Sequence, residues 1–263
     1  MASLLDRTIV ITGASSGIGR ETALKAAKHG AKLVLIARSE EKLKELSRQI
    51  AEITDKPCWH FALDVSDYEK VSAVFKRISE QAGPVDILLN NAGFGVFETF
   101  HEADFQHLID MFEVNVLGLM ACTKAVLPAM LERNQGHIIN VASQAGKLAT
   151  PKSSGYSASK HAVIGFTNSL RMELAHTGIH VSAVNPGPVE TNFFNIADRS
   201  GNYVKNVQKF MLSSDEVSAR IIQLMLRPKR ELNMPRWMNL GSKLYNLFPA
   251  AAEKLIGGML NQK

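Results

Sequence analysis

A chain of 263 residues with 46% hydrophobic and 21% charged residues has the composition of a globular protein, which excludes disordered, collagen-like and coiled-coil readings. Two cysteines, Cys58 and Cys122, cannot build a disulfide framework, so a reducing, cytoplasmic setting is expected. The net charge of +5 lies at the end, since residues 227–263 hold seven Lys/Arg against two Glu, and a neutral body without a recognition motif argues against a nucleic-acid partner.

The opening MASLLDR lacks the apolar core of a signal peptide. Residues 7–12 (RTIVIT) predict a buried strand, and residues 17–29 a helix that stops at Gly30. Residues 32–37 form a second strand, after which Ser39 caps a charged helix to about residue 53. A third strand follows at 59–63. Ser66-Asp67-Tyr68-Glu69 then reads as a capping box for a helix to about residue 82. Strands at 85–89 and 136–141 flank a long helical region over about 104–133. A helix at 155–177 precedes a sixth strand at 180–185. Ser213 to Glu216 cap a helix to residue 226, and a short strand at 231–234 completes the sheet. Purely apolar runs are short, such as Leu33 to Ala37, so no membrane-spanning helix is expected. Strands apolar on both faces, alternating with helices, predict an α/β fold with a doubly wound parallel sheet. One domain covers residues 1–234, and residues 235–263 form an amphipathic C-terminal extension.

The first strand runs into Thr12-Gly13-Ala14-Ser15-Ser16-Gly17-Ile18-Gly19, and a helix follows. Glycines there permit a tight turn and close approach to a pyrophosphate, and the helix N-terminus offers N–H groups to the anion. The spacing is Gly-x-x-x-Gly-x-Gly. With Asn90-Asn91-Ala92-Gly93 and Tyr156-x-x-x-Lys160 it resembles the short-chain dehydrogenase/reductase family over residues 5–195. The resemblance implies a Rossmann-type sheet and a nicotinamide cofactor. Gly13, Ser15, Ser16, Gly17, Ile18 and Gly19 would face its phosphates. Ala37 stands where NAD-using relatives carry an acid, and Arg38 offers a forked donor pair to a 2′-phosphate, so NADP(H) is expected. By resemblance Asp64 and Val65 contact the adenine, and Asn90, Ala92 and Gly93 the middle of the cofactor. Pro186, Gly187, Val189 and Thr191 would wrap the nicotinamide.

Tyr156 and Lys160 lie four apart on one helical face. A lysine cation one turn away favours the phenolate, so Tyr156 can exchange a proton with a substrate oxygen as hydride moves. Ser143, at the end of the fifth strand, can hold that oxygen. By resemblance the backbone carbonyl of Asn115 holds a water that extends a proton relay from Lys160. Tyr156 and Lys160 also count as cofactor contacts. The eight histidines show no metal-ligand spacing, and Cys122, Met111, Met120 and Met130 read as core.

The segment after Thr191 carries Phe193, Phe194, Tyr203 and Phe210, which suits an apolar carbonyl or alcohol as the small-molecule substrate. Trp237, Leu240, Leu244, Tyr245 and Phe248 follow helical spacing, as do Leu255, Ile256, Met259 and Leu260 beyond Pro249. That stripe is expected to pack on its own or a neighbouring subunit, ahead of a membrane surface. The tail resembles that of steroid and retinoid reductases in the family. A homodimer or homotetramer is implied, through the long helices at 104–133 and 155–177 with Gly118, Ala121, Ala162 and Gly165 as close-approach positions. Two alternatives stand beside the oxidoreductase reading: an acyl-carrier-protein ketoreductase, and a non-catalytic nucleotide-binding protein of the same fold.

Overall fold

Every residue of the first strand, β1 (Thr8–Thr12), is buried, because helices cover both faces of the sheet at whose centre it runs. The computed structural model describes residues 3–198 and 202–250. After β1 come α1 (Gly17–Lys28), β2 (Lys32–Ala37), α2 (Glu40–Ala51), β3 (Cys58–Ala62), α3 (Tyr68–Ala82) and β4 (Ile87–Asn90). A long helical run follows: α4 (Phe105–Phe112), a π-helical turn (Glu113–Gly118) and α5 (Leu119–Glu132). Then come β5 (Gly136–Val141), α6 (Ser154–Glu173), β6 (Ile179–Pro186), β7 (Val189–Glu190), α7 (Phe193–Ala197) and α8 (Asn202–Val207). The described chain ends with β8 (Leu212–Ser213), α9 (Ser214–Leu226), β9 (Glu231–Met234) and α10 (Arg236–Leu247).

Seven strands pair in parallel in the order β3-β2-β1-β4-β5-β6-β9, the doubly wound α/β arrangement expected. Alternate strand residues feed two cores. Ile9, Ile11, Leu33 and Leu35 pack with α1, α2 and α9, while Val10, Val34 and Ile36 pack with α3, α5 and α6. The strand order reverses between β1 and β4, which opens a crevice at their carboxyl ends.

Several local expectations change. Asp67, not Ser66, caps α3 by accepting from Lys70 N at 3.1 Å, because Ser66 is turned back to donate to Asp64 Oδ1 at 2.8 Å. The run 105–132 is long and apolar enough, by length and composition, to cross a membrane, contrary to expectation. Here Met111, Asn115, Cys122, Val126 and Met130 are buried in the fold instead. Gly118 does not face outward, since a Cβ on it would stand 2.8 Å from the Val65 carbonyl oxygen. Gly165 is open, with no atom within 4 Å of such a Cβ.

In the tail stripe, Trp237, Leu240, Leu244 and Phe248 are all more than half exposed, so the described residues do not cover them. Tyr245 is half-buried. Leu255, Ile256, Met259 and Leu260 lie outside the described residues, as does the Tyr203 side chain.

Candidate active site

The crevice begins at a turn that only glycine can make. Gly13 has φ +64°, and a Cβ there would stand 2.9 Å from the Ala92 Cα. Gly19 abuts the Gly13 carbonyl just as closely, which lets α1 dock on the turn. Asn91 laces the turn to the end of β4, donating to the Thr12 carbonyl at 3.0 Å and the Gly13 carbonyl at 3.2 Å. Thr12 Oγ1 in return accepts from Asn91 N and Ala92 N. Ser16 stands at the N-cap of α1 without a side-chain bond to the helix. The N–H groups of the first turn are thereby left for an anion.

From there a cleft of about 550 Å³ runs along the strand ends. At one end Arg38 projects from the end of β2, its side chain 77% exposed and its guanidinium 3.9 Å from Asp64 Oδ2. Ser39 caps α2 by accepting from Lys42 N, and Lys42, unnoticed in the sequence, joins Arg38 and Ser39 in the lining. A Gly13–Ser16 anion seat and an arginine at the far rim fit a dinucleotide with an additional phosphate.

The other end holds the chemistry. Ser143, at the turn after β5, accepts from Ala145 N at 3.0 Å and donates to the Pro186 carbonyl at 3.4 Å. Tyr156 and Lys160 project from the first turns of α6 into the same cleft, with the Lys160 ammonium 5.8 Å from the centre of the Tyr156 ring. Lys160 is buried and donates to the Val141 carbonyl at 3.0 Å. Burial alone pulls its pKa down to about 8. Asn115 sits in the π-turn, fully buried. Its Oδ1 accepts from Phe94 N, and its Nδ2 donates to the Phe94 carbonyl and to Ser159 Oγ. Such π-turns inside α-helices are frequent at functional sites.

Most of the residues singled out in the sequence meet in this cleft: Gly13, Ser15, Ser16, Gly17, Ile18, Arg38, Asp64, Val65, Ala92, Gly93, Ser143, Tyr156, Lys160, Pro186, Gly187, Val189 and Thr191. Three do not line it. Gly19 is spent on packing α1 against the turn. Asn90 turns inward, donating to Thr123 Oγ1 and Asn140 Oδ1, both at 2.9 Å. Asn115 holds the loop behind the cleft through Phe94.

The substrate end is walled by aromatics. Phe97 and Phe193 meet the Tyr156 ring with centres 5.8 and 5.5 Å away, and Phe194 packs on both. Phe97 N donates to the Ala197 carbonyl, which ties its loop to α7. Phe210 is not part of this wall: it is exposed and meets Trp237 instead. Met238 of α10 also lines the cleft and packs over Gly187, so the tail touches the segment expected at the nicotinamide. Phe94, Phe97 and Met238 were not legible as site residues, since an apolar side chain in a loop or on a tail helix reads as packing until the fold brings it to the cleft.

The family model for the short chain dehydrogenases matches residues 7–200. An uncharacterised oxidoreductase of Staphylococcus saprophyticus is 40% identical over 73% of this chain and 82% of its own length. Three longer curated relatives, 40–41% identical, are spanned for only 57–63% of their lengths. A short-chain dehydrogenase/reductase from Burkholderia phymatum solved with NAD is 26% identical with a TM-score of 0.87, over 94% of this chain and 95% of that one. A short-chain dehydrogenase from Sphingobium yanoikuyae solved with NADPH is 28% identical with a TM-score of 0.80, over 93% and 95%.

Proposed function

The chain belongs to the short-chain dehydrogenase/reductase family, and on that premise we propose that it is an NADP(H)-dependent oxidoreductase interconverting an apolar carbonyl compound and its alcohol. The observation that carries this reading is one cleft holding the glycine turn, Arg38 and the Ser143, Tyr156 and Lys160 trio together. Gly13, Ser15, Ser16 and Ile18 would seat the phosphates, Arg38 the 2′-phosphate, and Gly187, Val189 and Thr191 the nicotinamide end. When bound, the nicotinamide supplies or accepts the hydride. Ser143 holds the substrate oxygen, and Tyr156 gives it a proton in reduction or removes one in oxidation. Lys160 places its charge beside the tyrosine. The wall of Phe97, Phe193 and Phe194 excludes water and favours an apolar substrate.

The test is NADPH consumption across a panel of apolar ketones, aldehydes, quinones and β-ketoacyl thioesters. Turnover restricted to thioesters would favour the carrier-protein ketoreductase instead. No turnover with any of them, despite tight NADPH binding, would favour the non-catalytic alternative. Cofactor choice is tested separately. Arg38→Ala should weaken NADPH by roughly 1.5–3 kcal/mol, the worth of a charged hydrogen bond, and leave NADH nearly unchanged. Equal affinities of the unmutated protein for the two nucleotides would refute the assignment.

The second part of the proposal is a homodimer. Phe105, Ile109 and Phe112 are exposed along one face of α4, and Leu117 is exposed just beyond it. A two-fold axis that set this patch against its copy would bury it. Light scattering should give twice 28.9 kDa, and Phe105→Glu with Ile109→Glu should return the mass to that of one chain. A single-chain mass for the unmutated protein would overturn it.

A further inference from the structure

An amphipathic helix buries its apolar face when it has a partner for it, and among the described residues α10 has none. Trp237, Leu240, Leu244 and Leu247 recur on one side of it, and each is more than half exposed, as is Phe248 beyond its end. Trp237 meets Phe210 with ring centres 5.8 Å apart, which extends the apolar ridge onto the segment before β8. A different side of α10 rests on the body, where Met238 packs over Gly187 and Ser242 is buried.

Between α10 and the body runs an open groove of about 730 Å³. Its charged lining is Lys147, Lys229, Arg230, Glu231 and Lys243, with His161 beside them. Its single carboxylate, Glu231, is held by Lys147 at 2.5 Å. Among the described residues neither Lys229 nor Lys243 stands in an ion pair. The groove is therefore cationic, and Lys243 places that charge on the same helix as the ridge.

We propose that this ridge and groove form a docking surface for an anionic lipid bilayer. The apolar side chains enter the boundary between headgroups and acyl chains, and the lysines meet lipid phosphates. Shape and charge select this occupant. The ridge residues line neither the groove nor the cleft but stand out from the helix as an exposed row, which a fluid bilayer accommodates. A second copy related by a two-fold axis would set one basic groove against another, and residues 227–263 carry a net +5. An anionic surface is matched to the same charge.

The full-length protein should co-sediment with vesicles of equimolar phosphatidylcholine and phosphatidylglycerol, not with phosphatidylcholine alone, and salt should weaken the binding. Lys229→Gln with Lys243→Gln should weaken it roughly thirtyfold. Leu240→Glu with Leu244→Glu should abolish it while leaving turnover of a soluble ketone unchanged. In a Trp59→Phe background, Trp237 emission should shift to the blue when the mixed vesicles are added. Failure to sediment with either vesicle overturns the proposal. So does a fall in light-scattering mass of the Leu240→Glu, Leu244→Glu variant without lipid, which would give the ridge to a second copy. Trp237 emission already blue and unmoved by vesicles would assign the ridge to the chain's own last residues and overturn it equally.

Discussion

Tyr156→Phe is expected to lower turnover by about 10²–10⁴-fold, the range a positioned proton donor contributes, while NADPH affinity changes little. The substitution removes one oxygen from a ring that the fold already holds. That ring lies 8% exposed between Phe97 and Phe193, and its contacts with them involve carbon, so the variant should fold and pack as before. What is lost is the one group in the cleft with a transferable proton next to a buried cation. Ser143 cannot replace it, because an aliphatic hydroxyl is a far weaker acid than a phenol, and its long 3.4 Å bond to the Pro186 carbonyl leaves it able to hold the substrate oxygen but not to surrender its proton. Single-turnover kinetics and a fluorescence titration with NADPH separate the two quantities. A variant that kept most of its activity on a good substrate would remove Tyr156 from the proton path.

The sheet was readable because its strands are buried on both faces and therefore mainly apolar, as the runs Ile9–Ile11 of β1, Ile87–Leu89 of β4 and Ile138–Ile139 of β5 are. The Gly13–Gly19 turn and the Tyr156–Lys160 pair were readable because their chemistry depends on spacing within one short segment. What escaped depends on where distant segments meet. Phe97 lies in the stretch between β4 and α4, which has no helical or strand period, and it reaches the cleft by bonding to the Ala197 carbonyl. Met238 reaches it from the tail. Asn90 belongs to a recognisable motif, yet its side chain points away from the cleft, because Thr123 of α5 and Asn140 of β5 offer it partners there. The tail stripe was visible as a period, but periodicity states only that a face is apolar. It does not state what covers that face, and in the single chain nothing among the described residues does.

Lys160→Met is expected to stabilise the protein at neutral pH while it destroys activity. Burial lowers the folded-state pKa of Lys160 from 10.5 to about 8. Below pH 8 the lysine is charged in both the folded and unfolded chains, and the folded chain bears the full cost of holding that charge out of water. At 1.36 kcal/mol per pKa unit this cost is about 3 kcal/mol. Between pH 8 and 10.5 the unfolded chain keeps a proton that the folded chain has released, so the stability of the unmutated protein rises with pH in that window. Methionine fills the space of the lysine stem without the charge. It also loses the bond to the Val141 carbonyl, which removes about 1 kcal/mol of the gain. The net expectation is roughly 2 kcal/mol of added stability at pH 7, or a Tm higher by about 4–8 °C. Urea titrations at pH 7 and pH 10 should show the gap between variant and parent shrinking as pH rises. The same proton sets the activity, so kcat/KM of the parent should decline above pH 8 as the free enzyme loses it. A Lys160→Met protein less stable than its parent at pH 7, or a gap that did not narrow by pH 10, would mean that the lysine is not held charged against the cost of its burial.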